Sequence, residues 1–216
     1  MSFELTPREN LLSQLATAAV HLYGVIRVED FVDVCNYYIL IPTTYSEVMS
    51  TLHPLAKEPY SLYLIEQHFL FHPHFADDQE SRALLITLQK GKPRYYPEKE
   101  LFLAYAHPDF YEPRQPYDDL FALLTHHNLL PKHMMENEKH LLYLTLRELV
   151  MYHYDTEEIL GIIEDLEIPE KVELDLDKLL LYIQEIIIHT RRWEHNGFTT
   201  EEISHLFRHP AKEQTI

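Results

Sequence analysis

The chain is poor in glycine, cysteine and tryptophan, and poor in positive charge at the place where a DNA-binding fold would need it. Only 4 glycines occur in 216 residues. A turn-rich β sandwich needs more, and so does a loop that cradles phosphate with backbone N–H groups. The single cysteine, Cys35, excludes an internal disulfide framework and a structural zinc site built on thiolates. No apolar run is long enough for a membrane span, since the richest, Leu179 to Ile188, is broken by Gln184 and Glu185. Met1 to Asn10 is polar, so no signal peptide is expected and a cytoplasmic location is. The motifs G-x-S-x-G and H-E-x-x-H are absent, which removes the common hydrolase signatures.

What is present is helix-forming sequence with a large acidic excess. Hydrophobic residues make up 46% of the chain, enough to bury a core. The formal net charge is −17, from 18 basic and 35 acidic residues. Such a field repels phosphate backbones and anionic lipid, and it suits basic partners. Neither nucleic acid nor membrane is expected as a partner.

Thr6-Pro7-Arg8-Glu9 opens a first helix, with Thr6 as cap, Pro7 at the first helical position and Glu9 closing a capping box. Leu11, Leu15, Ala19 and Leu22 form its apolar stripe, and Gly24 ends it as a left-handed cap. A second helix starts near Glu29, with Phe31, Val34, Cys35 and Tyr38 inward, and stops before Pro42. A short third helix follows from Thr44 to Leu52, and then a hairpin, Tyr60–Ile65 against His68–His72. Three helices and a hairpin are the order of a winged-helix domain. The recognition segment, Thr43 to Leu52, nevertheless carries no Lys or Arg and one acid, Glu47. Residues 1–75 hold Arg8, Arg27 and Lys57 against eight acidic residues.

Asp77 to Lys90 reads as another helix, and Gly91 to Pro97 as a linker. Six helices are expected afterwards: Glu98–Ala106, Tyr117–His127, Glu138–Tyr152, Thr156–Leu166, Leu176–Trp193 and Thr200–Phe207. Asp155 with Glu158, and Thr199 with Glu202, form further capping boxes. The expected fold is therefore mainly α. It has a winged-helix-like module over 1–75, a helix and linker over 76–97, a helical domain over 98–207 and a frayed tail over 208–216.

Candidate chemistry is sparse. His68, His72 and His74 share one stretch, and His126, His127 and His133 cluster at a helix end. Metal ligation needs neutral imidazoles converging from a rigid frame, and Pro73 turns His74 off the strand line, so no metal is expected. Cys35 lies on an apolar helix stripe, where a free thiol acts as a small core residue rather than a nucleophile. The acidic pairs Glu157/Glu158, Asp175/Asp177 and Glu201/Glu202 open helices, where the helix dipole favours carboxylates. No catalytic residue and no cofactor is expected. The most distinctive stretch holds Arg191, Arg192, Trp193, Gly197 and Phe198. Read structurally, it is a helix end, an Asn196-Gly197 turn and a Trp193 that pins the last helix onto the bundle. Read functionally, Arg191, Arg192 and Trp193 are interface anchors.

Tyr23-Gly24-Val25-Ile26, Glu29-Asp30-Phe31, His72-Pro73 and Tyr95-Tyr96-Pro97-Glu98-Lys99-Glu100-Leu101 together resemble an uncharacterised Firmicutes helical protein family. Thr190-Arg191-Arg192-Trp193 through Gly197-Phe198-Thr199 is similar to its TR-x-W-x-N-x-G-x-T-P-x-E-L signature, departing at Thr200, where the signature has Pro, and at Ile188-His189. Some relatives continue into a SEC-C metal-binding tail. This chain has no such tail, so the resemblance implies an architecture and no reaction. The expected function is a non-enzymatic protein-interaction module. A transcription-associated or nucleic-acid-binding winged-helix protein, and an enzyme of unknown type, are the alternatives.

Overall fold

The computed structural model describes residues 5–108, 110, 112, 115–126, 130, 134–152, 156–164 and 176–208. Among them the chain is mainly helical, with one small antiparallel sheet. It divides into two compact units. Unit 1 comprises Met1–Phe110 with Trp193–Gly197, and unit 2 comprises Tyr111–Arg192 with Phe198–Ile216.

Unit 1 is built on α1 (Pro7–Tyr23). The capping box is formed: Thr6 Oγ1 accepts from the Glu9 backbone N–H at 3.3 Å, and the Thr6 N–H donates to Glu9 Oε2 at 2.8 Å. The expected single stripe is too modest, because every residue from Leu15 to Tyr23 is buried. A helix covered all round must let its neighbours approach closely, and Ala16, Ala18 and Ala19 permit that. Around it lie β1 (Val25–Arg27), α2 (Val28–Tyr38), α3 (Tyr45–Leu55) and α5 (Lys99–Ala104).

The hairpin consists of β2 (Leu64–Glu66) and β3 (Phe69–Phe71), joined by the turn Gln67–His68. Strand β1 pairs antiparallel with β3, giving the order β1-β3-β2. Unit 1 thus runs helix, strand, two helices and two strands, with the three strands in one small antiparallel sheet. Strand β1 escaped sequence reading because three residues squeezed between two helices show no alternation. Helix α3 extends past Leu52 and takes Pro54 into its last turn.

The stretch read as a linker and the helix after it belong to unit 1. Helix α4 (Gln79–Gln89) is capped by Asp78. Phe102 of α5 is fully buried, stacked on Tyr38 with ring centroids 4.5 Å apart. Tyr23 and Tyr38 donate their hydroxyls to the carbonyls of Tyr95 and Pro97 at 2.7 and 2.9 Å, which straps 95–97 onto the core. Aromatic packing and these bonds outweigh the Gly/Pro composition that suggested a boundary there.

Unit 2 contains α6 (Gln115–His126), α7 (Glu136–Tyr152), α8 (Thr156–Glu164), α9 (Leu176–His189) and α10 (Thr200–Arg208). Its core is mostly aliphatic, with Leu120, Leu124, Leu146, Ile159, Leu179 and Ile183, and it also holds the paired rings of Tyr117 and Tyr143. The Thr199–Glu202 capping box of α10 is formed, with bonds of 3.0 and 3.1 Å. Asp155, Asp175, His127, His133, Leu166 and 209–216 of the expected tail lie outside the described residues. Helix α9 stops at His189, four residues short of the expected Trp193, because the chain extends through Thr190–Arg192 and Arg191 bridges Thr199.

Candidate functional site

The residues singled out in the sequence are distributed as follows. Arg191 donates from Nε to Glu112 and from Nη1 to Glu202, the latter at 2.8 Å, and its side chain is mostly buried. Arg192 is buried, and its N–H donates to the Phe198 carbonyl at 3.1 Å. These bonds close the neck of a loop, and the five residues beyond the neck, Trp193–Gly197, belong to unit 1.

Trp193 is fully buried. It sits in the core of unit 1, on a short 3-10 turn (Trp193–His195), and not against the helical bundle expected from sequence. Its Nε1 donates to the His21 carbonyl at 2.9 Å, and its ring lies 5.1 Å from His72 and 5.4 Å from Phe75. Gly24 is the seat of that ring. With φ 73° and ψ −57° it leaves the left-handed helical region but keeps a positive φ. A Cβ there would lie 2.7 Å from Trp193 Cγ and 2.9 Å from Leu85 Cδ2, so glycine is required twice over. Asn196 and Gly197 also have positive φ, 51° and 84°, as the turn demands. Phe198 is half-buried.

Of the candidate histidines, His72 and His74 both pack on Trp193, whereas His68 turns to Tyr45. His68 Nδ1 lies 3.0 Å from the Tyr45 hydroxyl. His72 caps the Pro73–Phe75 turn, accepting from the His74 N–H, and its ring stacks on His21 at 5.5 Å. His74 packs edge-on against Phe75. Among the described residues no group of three His, Cys, Asp or Glu side chains converges on a metal-sized site. Cys35 is fully buried, and burial pushes its thiol far above the ordinary range, opposite to what a nucleophile needs. Among the described residues no helix is long and apolar enough to cross a membrane.

Helix α3 and the connection before it form a surface with few charges and several exposed apolar side chains. Outward-facing Ser46 and Ser50 give α3 a small, neutral face. Its one acid, Glu47, is engaged in the fold. Arg8 grips both carboxylate oxygens and donates to the carbonyls of Ile41 and Pro42 at 3.1 and 3.2 Å. Thr43 Oγ1 adds a bond of 2.7 Å to Glu47. These bonds, Arg8's first, draw the Glu47 carboxyl down to about 2. Just before this clamp the chain exposes Leu40 completely and leaves Ile41 71% exposed. Tyr37, 65% exposed, lies 4.8 Å from the Tyr96 ring. Sequence reading missed this corner, since the run Tyr37-Tyr38-Ile39-Leu40-Ile41 looks like core and only Tyr38 and Ile39 are.

No protein-family model, no curated protein and no solved structure matches this chain.

Proposed function

We propose that the protein is a non-enzymatic protein-interaction module whose winged-helix-like unit docks a partner at the α2–α3 corner. The observation that carries this reading is the exposure of Leu40, Ile41 and Tyr37, close together in the chain, with Tyr96 against Tyr37. Contiguous exposed apolar side chains mark contact sites. Tyrosines with a fixed neighbour are good anchors, because little rotamer freedom is lost when they are covered. The partner fitting the surroundings is basic with an apolar anchor. Asp33 stands one helical turn before Tyr37, Glu98 follows the Tyr38-bound Pro97, and the whole chain carries −17. Membership of the Firmicutes family, a bacterial origin and a cytoplasmic location belong to the same proposal. The first two rest on the motifs around Tyr23–Ile26, Tyr95–Leu101 and Thr190–Thr199, and the location on the polar Met1–Asn10 and the lack of a long apolar run.

The nucleic-acid reading is not favoured. Helix α3 offers no Lys or Arg for phosphates or guanine, and the one arginine at its foot, Arg8, is neutralised by Glu47. Fluorescence anisotropy with duplex DNA at physiological salt should give no submicromolar, salt-sensitive binding.

The docking reading is tested with the double variant Leu40→Ser/Ile41→Ser, which removes exposed side chains and should melt like the parent. Affinity capture from the native cell should yield a basic protein that the parent retains and the variant loses. Raised salt should weaken the parent's hold on it. If parent and variant retain the same proteins equally, the corner is not the docking site.

A further inference from the structure

Residues 94–98 run as a strap along one face of α2. Asp30, Asp33 and Tyr37 share that face, at the spacing i, i+3, i+7. Three anchors fix the strap there. Arg94 reaches Asp30 at 3.5 Å, the Tyr96 ring lies 4.8 Å from Tyr37, and the Pro97 carbonyl accepts from the Tyr38 hydroxyl at 2.9 Å. The Tyr37 ring is held on two sides and still largely exposed. Tyr38 meets it edge-on at 4.9 Å, and Tyr96 leans against it at 51°. Its orientation is thus set before anything covers it.

Two exposed carboxylates flank these rings. Asp33 stands one turn before Tyr37, and Glu98 two residues after Tyr96. The other acids of α2, Glu29 and Asp30, lie 3.7 and 3.5 Å from Arg27 and Arg94, whereas Asp33 has no ion pair or hydrogen bond among the described residues. Glu98 likewise has none, and although it stands at the cap of α5 its side chain makes no capping bond. Burial first, and then the neighbouring tyrosines and the Glu98 carboxylate, push the Tyr38 hydroxyl up, which sets the Glu98 charge beside the ring cluster. The strap's own cation, Arg94, is turned to Asp30 and to the Tyr23 ring, 5.2 Å away.

We propose that Tyr37 and Tyr96, with Asp33 and Glu98, form the seat for an arginine of the partner, next to the apolar pair Leu40-Ile41. The seat presupposes docking at the α2–α3 corner and specifies its chemistry. A guanidinium stacks flat on a tyrosine face and carries five N–H donors that two carboxylates can share. A lysine ammonium is a compact, strongly hydrated charge and gains less from an open ring. A quaternary ammonium needs a cage of rings, and here Tyr37 is open to solvent.

Selection of phage-displayed random nine-residue peptides by the full chain tests the seat. The peptides retained should carry arginine close to a Leu, Ile or Val. Calorimetry with the best of them then compares arginine with lysine and with citrulline, which keeps the shape and loses the charge. Citrulline should bind about fivefold or more weakly, and lysine about twofold or more weakly. Tyr37→Leu, and separately Asp33→Asn/Glu98→Gln, should erase the preference for arginine. These side chains are exposed, so the variants should melt like the parent. Arginine and citrulline binding alike overturns the seat, and so does the retention of no peptide. Peptides that lack arginine and depend only on Leu40 and Ile41 overturn the seat and leave the docking reading standing. Arginine peptides lost on Asp33→Asn/Glu98→Gln but indifferent to Leu40→Ser/Ile41→Ser uphold the seat and overturn docking on the apolar pair.

Discussion

The two units solve the same problem, covering an apolar core with helices, in different ways. In unit 2 each helix brings an amphipathic face whose buried positions recur at helical spacing. Leu120, Leu123 and Leu124 on α6 are one example, and Leu179, Ile183 and Ile186 on α9 are another. Unit 1 has a helix buried on every side over its last nine residues, and its core is completed by five residues that arrive from far along the chain. It also uses polar side chains as long-range fasteners onto backbone carbonyls. Gln89 Nε2 donates to the carbonyls of Tyr23 and Trp193 at 2.6 and 2.9 Å, and Trp193 Nε1 reaches His21. Helical periodicity tells which face of an element is covered; it does not tell which distant segment does the covering.

Trp193→Ala breaks this contrast most directly. Removing a well-packed Trp costs about 3–5 kcal/mol, from lost transfer energy and the cavity left behind. The indole also carries a buried hydrogen bond, whose loss leaves the His21 carbonyl short of a donor. The damage should stay in unit 1. Hydrogen exchange should lose protection in α1, β1 and the 89–92 turn, while α6, α7 and α9 keep theirs. Loss of protection first in α6–α9 would show that the Trp193–Gly197 segment supports unit 2 energetically, against its packing.

The same contrast explains what could be read from sequence. The capping boxes at Thr6 and Thr199 are local, four residues long, and both are formed. The helices of unit 2 were legible for the same reason, and so was the presence of the hairpin, but not its bounds: the expected strand Tyr60–Ile65 begins only at Leu64 and runs through Glu66, because Tyr60 sits in a turn with φ 68°. Strand β1 was too short to show a period, and it is defined by pairing with a strand more than forty residues away. Trp193 was legible as buried, but its location was not, because an apolar run before it and a glycine turn after it say nothing about Gly24. The α2–α3 corner was hidden by the opposite effect, exposed apolar residues sitting in a core-like run.

A smaller effect separates the two ends of α3. Glu47 joins the start of α3 to α1 through Arg8, whereas the other end holds by packing of Leu52 and Ala56. The Glu47 carboxyl is drawn down to about 2 from its ordinary 4.5. A depressed acid contributes stability that is fully present above its unfolded value and is lost as pH falls through its folded value. Glu47→Gln should therefore melt lower than the parent at pH 7, and the difference should shrink between about pH 4.5 and 2. Both partners are about one-third exposed, so solvent screening keeps this loss well below that of Trp193→Ala. Parallel thermal melts from pH 7 to pH 2 check it. A difference that grows on acidification would mean the ion pair is not what Glu47 contributes.

The smallest expected effect is a gain, and it comes from two turns of one type in unit 1. Gln89–Lys92 is a type II turn. Lys90 has φ −59° and ψ 127°, Gly91 has φ 78°, and the Lys92 N–H donates to the Gln89 carbonyl at 3.1 Å. Glu58–Ser61 is built alike, with Pro59 second, Tyr60 third at φ 68°, and a bond of 3.2 Å from the Ser61 N–H to the Glu58 carbonyl. The third position of this turn demands positive φ, which glycine adopts freely. A side chain there costs about 1–2 kcal/mol. Glycine in turn adds about 0.5–1 kcal/mol of unfolded-state entropy. Tyr60 is 99% exposed, so removing its ring forfeits no packing. Tyr60→Gly should therefore stabilise by about 0.5–1 kcal/mol and raise the melting temperature of unit 1 by a few degrees. Gly91→Ala is the mirror experiment. A Cβ at Gly91 meets nothing within 4 Å, so any loss there measures backbone strain alone. If Tyr60→Gly lowers the melting temperature while Gly91→Ala lowers it too, the two turns are not equivalent, and the Tyr60 ring contributes something to unit 1 beyond the geometry of its turn.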